Sequence, residues 1–384
     1  MNLSGIAVHL RIFMSKNRHS ELVYRIALTQ VQGIGPVKAR KLVASCGSAE
    51  AVFREKKNIL TKIPDIGQFS AQAIASADGF HRAEMEAEFI ERNGIRTLFF
   101  TDEKYPERLL ACEDSPILLF AKGEMNLNAP RVISVVGTRK ATPYGRAFCE
   151  ELIRDLVPYK PLVVSGLAYG IDICAHRYAI RYNLPTVGCL AHGMDRIYPS
   201  LHTTVAKEMV VNGGLLTEFL SGTAPDRELF PTRNRIIAGL ADCTIIVESD
   251  LRGGSVITAQ VANGYNRDVF AVPGRHNDRY SSGCNHLIRR NVAAILTSAE
   301  DLVNYMNWNS PVVKKNPQAE LFDQLSGEER KLMELLSARG KMAMDTISES
   351  LGLGLSRSSS VLLSLEFQGY VKALPGKFYA PVSQ

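Results

Sequence analysis

The stretch VISVVGTRKATPYG at residues 132–145 decides the fold of this chain, because later stretches repeat its pattern. An apolar, β-branched run breaks into Gly, Thr and Arg and then enters a helical pattern. Related blocks follow as VVSGLAYGIDICAH (163–176), FPTRNRIIAGL (230–240), RGGSVITAQVA (252–262) and VFAVPGR (269–275). Strand, loop and helix in this order are typical of a parallel α/β sheet.

The central region predicts seven strands with helices between them. The strands are expected at 132–137, 161–165, 186–190, 214–217, 244–248, 268–272 and 293–296. The helices are expected at 143–156, 170–182, 201–212, 233–241, 255–265 and 284–290. The regular alternation indicates a doubly wound parallel sheet with right-handed crossovers. Ligands of such sheets bind beyond the carboxyl ends of the strands, where this chain gathers small residues and arginines.

Composition sets wide limits on the function. The 384 residues exceed what one core usually supports, so several domains are expected. Seven scattered cysteines without a CxxC pair suit free thiols in a reducing cytoplasm, and the histidines show no metal-binding spacing. No apolar run approaches the roughly 20 residues that span a bilayer, so we expect no membrane contact. The formal net charge of +6 fits an ordinary solvated surface and leaves an anionic partner open.

Residues 20–82 predict a small helical domain with two similar turns, VQGIGP at 31–36 and IPDIG at 63–67. A glycine turn that enters a helix resembles the helix–hairpin–helix motif, in which the helix amides hold a phosphate. Basic residues follow the first turn, namely Lys38, Arg40 and Lys41. In the second turn Asp65 replaces a glycine, and an acid opposes phosphate binding. Contact with DNA and a role in packing against protein both stay open.

The remaining segments surround the central domain, which is predicted at 83–306. Residues 1–19 are expected to be disordered or to precede the true start of translation. Short strands near 97–100 and 117–120 are expected to join the edge of the main sheet. A linker is predicted at 307–325.

Residues 326–384 predict three helices and a hairpin, which resemble a winged helix. A DNA-binding role would place the third helix, Leu355 to Phe367, in a major groove. Arg357 is the one arginine of that helix, so contact with protein is an equal alternative.

The loop after the first central strand carries the most informative chemistry. It lacks both GxxxxGK[ST] and GxGxxG, so neither common nucleotide loop is present. Gly137, Thr138 and Arg139 instead offer amides, a hydroxyl and a guanidinium, which suit a phosphodiester. The alternative is that Arg139 pairs with a carboxylate.

Further anion donors are predicted along the same edge of the sheet. Arg233, Asn234 and Arg235 are expected at a helix start, where they would contact phosphate, with a salt-bridged core as the alternative. Gly253, Gly254 and Ser255 precede another helix, whose first amides are free. The predicted set is completed by Ser165, Gly166, Arg275 and Asn285. Repeated anion sites indicate an extended polyanion. No paired carboxylates or nucleophile–base pair stand out, so no catalytic residue and no cofactor are predicted.

Seven motifs in order, from VVGTRKATPYG to SGCNHLI, resemble the DprA/Smf family of DNA-processing proteins. The resemblance implies an extended Rossmann-like domain that binds single-stranded DNA, with Gly137, Thr138 and Arg139 in the pocket. It also implies a cytoplasmic homodimer that protects incoming DNA and loads RecA recombinase during natural transformation. Enzymatic activity is not implied.

Two other functions compete with this interpretation. The stretch Arg252 to Gln260 is comparable with the PGGxGTxxE loop of lysine-decarboxylase-like nucleotide hydrolases. Gln260 replaces the glutamate of that loop, and an amide cannot supply the carboxylate for hydrolysis. The second alternative is a regulator that binds double-stranded DNA through the winged helix.

Overall fold

A computed structural model of this protein describes residues 19–308, 326–368, 370–374 and 377–381. The chain divides into two compact units at residues 309 and 310, and each is described by itself. Most of the predicted disordered start and of the predicted linker lies outside the described residues. Trp308, which the prediction placed in the linker, is instead buried in the core of the first unit.

The first unit begins with helices that share one apolar core. They are α1 Glu21–Gln30, α2 Pro36–Cys46, α3 Ala49–Arg54, α4 Lys57–Leu60, α5 Gln68–Ala75 and α6 Phe80–Arg92. The predicted boundary between residues 82 and 83 therefore falls inside α6.

The turns before α2 and α5 have the same backbone conformation. Gly33 has a φ of 76° and Asp65 has a φ of 67°, so both lie in the left-handed region. Gly35 and Gly67 then precede their helices with extended backbones. The two turns are thus repeats of one hairpin, and the aspartate adopts a conformation that is more favourable for glycine.

The nine-stranded main sheet confirms the predicted strands, including the two at its edge. The strands are β1 Arg96–Phe99, β2 Leu118–Lys122, β3 Val132–Val136, β4 Leu162–Ser165, β5 Thr186–Cys189, β6 Gly213–Thr217, β7 Cys243–Ile246, β8 Asp268–Ala271 and β9 Ala294–Ile295. Their order is β1-β2-β6-β5-β4-β3-β7-β8-β9. In this order, the seven strands that begin with β6 and end with β9 are parallel to one another. β1 pairs with β2, and β2 pairs with β6, in antiparallel orientation.

Helices cover both faces of this sheet because side chains of its central strands alternate between two cores. In β3, Ile133 and Val135 face one core while Val132 and Val136 face the other. The helices are α7 Glu107–Leu110, α8 Pro143–Asp155, α9 Ile171–Arg181, α10 Thr203–Met209, α11 Leu229–Leu240, α12 Gly254–Gly264, α13 Ser282–Arg289 and α14 Ala299–Tyr305. None of the described helices is long and apolar enough to cross a membrane.

The second unit is a winged helix, as predicted. It contains α15 Gly327–Arg339, β10 Met342–Ala343, α16 Met344–Leu351, α17 Leu355–Phe367, β11 Val371–Leu374 and β12 Phe378–Pro381. The strands form a sheet in the order β10-β12-β11 beneath a shared apolar core.

Candidate nucleic-acid interface

The strand order reverses between β3 and β7, and a cleft of about 470 Å³ opens beyond their carboxyl ends. Chains that leave adjacent strands in opposite directions create such a crevice. We call it the switch-point cleft. Its lining includes Gly137, Thr138, Arg139, Asp172, Arg227, Phe230, Arg233, Asn234, Arg252, Gly253, Gly254 and Ser255.

The loop after β3 is fixed in place by backbone contacts. The Thr138 amide donates to the Glu248 carbonyl at 2.7 Å, and the Thr138 carbonyl accepts from the Ile171 amide at 3.2 Å. A Cβ atom on Gly137 would lie 2.5 Å from Cγ1 of Ile171. Glycine is therefore required here by close packing, and the loop is preformed.

Arg139 is exposed at the rim of the cleft. Its guanidinium carbon lies 4.8 Å from the ring centroid of Phe230, within the range of a cation–π contact. Across the described ranges Arg139 forms no salt bridge. The alternative that Arg139 pairs with a carboxylate therefore has no support among these residues. The donors of the guanidinium remain available to a ligand.

The start of α12 forms the opposite wall of the cleft. Gly253 precedes the helix, and the buried Ser255 hydroxyl donates to Ser249 Oγ at 2.7 Å. The amides of Gly254 and Ser255 have no acceptor in the part of the chain that is described, as expected for the first turn of a helix. These amides lie at the positive end of the α12 dipole, where they are available to an anion.

Arg233 lies at the floor of the cleft and is buried, unlike the exposed arginines at its rim. It is 3% exposed, and Nη1 donates to the carbonyls of Gly166 at 2.6 Å and Cys189 at 2.5 Å. Burial lowers the pKa of Arg233, while the nearby Asp172 carboxylate opposes that shift. Burial likewise raises the pKa of Asp172, opposed by Arg233. The two groups offset each other's charge and hold the loop after β4.

Arg235 does not reach the cleft. Its guanidinium forms an ion pair with Glu218 and donates to the carbonyl of Asp114. Arg233 and Arg235 leave the helix about 200° apart because they are two residues apart, so the predicted basic segment 233–235 does not present both guanidinium groups to the cleft. The predicted helix start at residue 233 is wrong, since α11 begins at Leu229.

Other predicted donors are used within the protein. The Ser165 hydroxyl is buried and donates to the Val135 carbonyl at 2.6 Å. The Gly166 amide donates to Asp172 Oδ2 at 3.2 Å. The side chain of Asn285 donates to the Gly274 carbonyl and accepts from the Gly274 amide. Arg275 is exposed in the loop after β8 but does not line the switch-point cleft.

Sequence reasoning missed three residues of the cleft. Arg227 and Arg252 line it, are exposed, and have no carboxylate at salt-bridge distance within the described ranges. Phe230 supplies an aromatic ring beneath Arg139. Arg252 directly precedes the predicted glycine loop, so its position offered a usable signal. Arg227 lies in a loop whose course only the structure shows.

The basic residues of the N-terminal hairpin contact other residues of this chain. Lys38 donates to the Gly33 carbonyl at 3.2 Å and to Ser70 at 3.0 Å. Arg40 donates to the Cys112 carbonyl at 3.2 Å, and Lys41 pairs with Asp65. These contacts favour the packing role over DNA contact.

The third helix of the winged helix, α17, is nearly uncharged on its exposed side. Its Arg357 pairs with Glu328 at 2.8 Å. Leu355 and Leu363 are 55% and 52% exposed. This surface offers little attraction to a phosphate backbone, which weakens the alternative of a double-strand regulator.

Family models match most of the chain. Residues 96–307 match "DNA recombination-mediator protein A", residues 316–377 match "DprA winged helix domain", and residues 26–77 match "SAM-like Helix-hairpin-helix tandem". The putative DNA processing protein DprA of Mycobacterium tuberculosis is 34% identical over 351 residues, which cover 88% of either chain.

Two solved structures support the fold. DNA processing protein A of Streptococcus pneumoniae has a TM-score of 0.60 and 29% identity, covering 73% of this chain and 97% of its own. The protein from Helicobacter pylori, described with its single-stranded DNA binding mode, has a TM-score of 0.51 and 29% identity. The match covers 56% of this chain and 96% of that one.

Proposed function

This chain belongs to the DNA recombination-mediator protein A family, and on that premise we propose that its switch-point cleft binds the backbone of single-stranded DNA. The observation that carries the proposal is the set of exposed guanidinium groups around the cleft. Arg139, Arg227 and Arg252 line it without a carboxylate partner across the described ranges. Guanidinium groups bind phosphates through paired donors, and several at one site suit a chain of phosphates.

The acidic residues near the cleft do not cancel this positive charge. Asp250 pairs with Arg279 at 2.7 Å, and Asp172 is buried beside Arg233. The amides of Gly254 and Ser255 add donors at the positive end of α12. The cleft therefore combines free cations, free amides and a closely packed glycine, which are the parts a phosphodiester requires.

A binding protein explains the site better than a nucleotide hydrolase does. Gln260 occupies the position of the hydrolase glutamate, is exposed on α12, and does not line the cleft. Asp172 is the cleft's buried carboxylate, and its Oδ2 already accepts the Gly166 amide. We propose no catalytic residue and no cofactor. Within the described ranges no group of His, Cys, Asp or Glu is arranged to hold a metal ion.

The wider role proposed for the protein rests on the family. We propose that it is a cytoplasmic homodimer that protects incoming single strands and loads RecA recombinase onto them during natural transformation. The mass of the protein in solution tests the homodimer. A pull-down with purified recombinase, in the presence and absence of an oligonucleotide, tests the partnership.

Fluorescence anisotropy with a labelled single strand tests the site. We expect Arg139→Ala and Arg252→Ala each to weaken binding, whereas Arg235→Ala retains it because that guanidinium is paired outside the cleft. Thermal unfolding of each variant checks that the fold is intact. Unchanged affinity in both cleft variants would show that the strand binds elsewhere. Release of product from a nucleotide by the unaltered protein would favour the hydrolase.

A further inference from the structure

We propose that the N-terminal helices position Arg227 at the switch-point cleft, because a buried contact of Glu86 with Ser221 holds the loop that carries this arginine. The loop runs from β6 to α11 over residues 218–228, and we call it the β6–α11 loop. The inference rests on the proposed function and gives the helices a part in it. Glu86 and Ser221 act as positioning residues, which do not themselves contact the strand.

Glu86 is a buried carboxylate of α6 whose oxygens are turned to the loop. It is 2% exposed. Its Oε1 and Oε2 accept the Ser221 amide at 3.0 and 3.1 Å, and Oε2 also accepts the Ser221 hydroxyl at 2.5 Å. A buried carboxylate is unfavourable unless donors surround it, and hydrogen bonds to an ionised acceptor are stronger than neutral ones. Ser221 is therefore held firmly against α6.

Arg82 lies one turn earlier on α6 and completes the contact. Its Nη2 is 2.9 Å from Glu86 Oε2 and donates to the Ser221 carbonyl at 2.5 Å. Residues four apart lie on one face of a helix, so both side chains reach the same loop residue. The amide, the hydroxyl and the carbonyl of Ser221 are all bound from this face. We call Arg82, Glu86 and Ser221 the Ser221 clamp.

The neighbours of Ser221 pack between the N-terminal helices and the sheet. Leu220 packs against the apolar core of those helices. On the other side, the Gly222 amide donates to Asp195 Oδ1 at 2.9 Å, and the Thr223 carbonyl accepts the Gly193 amide at 3.1 Å. A Cβ atom on Gly193 would collide with the Leu220 carbonyl, so the layers are in close contact. A shift of the clamp is therefore passed along the loop.

Arg227 lies in the second half of the loop, where fewer contacts hold the backbone. Within the described ranges Ala224 and Pro225 take no part in a hydrogen bond. Arg227 is exposed, lines the cleft and follows Ser221 by six residues, which span at most about 20 Å. The start of α11 fixes the loop on one side of Arg227, and the Ser221 clamp fixes it on the other. Release of the clamp should let this arginine move away from the cleft.

The test measures binding of a labelled oligothymidine by the full-length protein over a salt series. Arg227→Ala should weaken binding about tenfold and lower the magnitude of the log–log salt slope by roughly 0.7. Glu86→Ala should lower both quantities by part of these amounts, although loss of an acid makes the protein more basic and by charge alone would strengthen binding. The Glu86→Ala/Arg227→Ala double variant should bind as Arg227→Ala does, because no arginine remains to be positioned.

Two controls separate positioning from charge. Glu88→Ala removes the same charge from an exposed position on α6, where Glu88 pairs with Arg92, and should retain the affinity of the unaltered protein. Glu86→Gln keeps the length of the side chain and an acceptor for the Ser221 amide, so it should bind more tightly than Glu86→Ala.

A second variant releases Arg227 without a change in α6. Insertion of two glycines between Thr223 and Ala224 lengthens the loop at an exposed point, which folded proteins tolerate. It should weaken binding as Glu86→Ala does. Thermal unfolding shows which variants are folded, and the insertion decides the question if Glu86→Ala is not.

The outcomes separate the positioning role from the cleft itself. A folded Glu86→Ala protein with unchanged affinity overturns the inference, and so do losses that add in the double variant, because the two residues then act independently. If Arg227→Ala keeps its affinity while Arg139→Ala loses it, the inference falls and the proposed function stands. If Arg139→Ala, Arg252→Ala and Arg227→Ala all bind as the unaltered protein does, the proposed function fails and the positioning role with it.

Discussion

At the scale of single residues, exposure decides what each arginine around the cleft does. Arg139 is exposed and free to meet an anion, whereas Arg233 is buried and donates to two backbone carbonyls. Spacing along the sequence does not report burial, so both arginines seemed equal candidates before the structure was known. Mutation of Arg233 is for that reason a test of folding and not of DNA contact.

His176 carries a pH-dependent prediction. Thr186 Oγ1 donates to the Val163 carbonyl and accepts from His176 Nδ1 at 2.7 Å, which leaves Nε2 buried without a partner in the described part of the chain. Burial lowers the pKa of His176 from 6.5 to about 3. As the pH falls, His176 therefore takes up a proton in the unfolded chain at a higher pH than in the folded chain. The free energy of unfolding falls as pH decreases from 6.5 toward 3, by about 1.4 kcal/mol per pH unit.

Chemical denaturation at pH 7, 6, 5 and 4.5 measures this effect. The His176→Phe variant should lose that part of the pH dependence, because no group at this site then takes up a proton. The exposed His81→Phe variant serves as the matched control and should keep the dependence of the unaltered protein. Equal pH dependence in the His176→Phe and unaltered proteins would show that His176 is not the responsible group.

At the scale of elements, α11 serves two sites with opposite faces. One face carries Arg233 and Asn234 to the cleft, and the other carries Arg235 to Glu218. Arg235→Ala should leave Glu218 buried and unpaired, and we expect a loss of about 3 kcal/mol in the free energy of unfolding. An Arg235→Met/Glu218→Leu double variant should recover much of it, because neither charge remains. A double variant as unstable as Arg235→Ala would contradict the pairing.

The strands were predictable because each is a short apolar run bounded by Gly, Pro or polar residues. The start of α11 was not, because the helix begins at Leu229 and holds Pro231 in its first turn, which tolerates proline. The loops after β3 and β7 were correctly predicted to lie at one edge of the sheet. The hydrogen-bond and ion-pair partners of Arg235 and Asn285 were not predicted. These partners depend on tertiary contacts with Glu218, Asp114 and Gly274.

At the scale of the whole molecule, the groups proposed to bind DNA are concentrated in the first unit. Lys38, Lys41 and Arg40 of the hairpin contact other residues of this chain, and α17 is nearly neutral on its exposed side. We therefore expect a protein truncated after residue 309 to bind a single strand as tightly as the full chain. Anisotropy with single- and double-stranded DNA measures both affinities. A large loss of either affinity after truncation would show that the winged helix contributes to DNA binding.

The salt dependence of single-strand affinity is the decisive measurement for the proposed DNA-binding cleft, because its slope reports how many phosphates the protein neutralises. We expect a linear fall of log affinity with log salt in the unaltered protein. We also expect Arg139→Ala and Arg252→Ala each to reduce the magnitude of the slope by roughly 0.7, while Arg235→Ala leaves it unchanged. Slopes that stay the same in both cleft variants, or that fall only in Arg235→Ala, would contradict the assignment of the switch-point cleft to the DNA backbone.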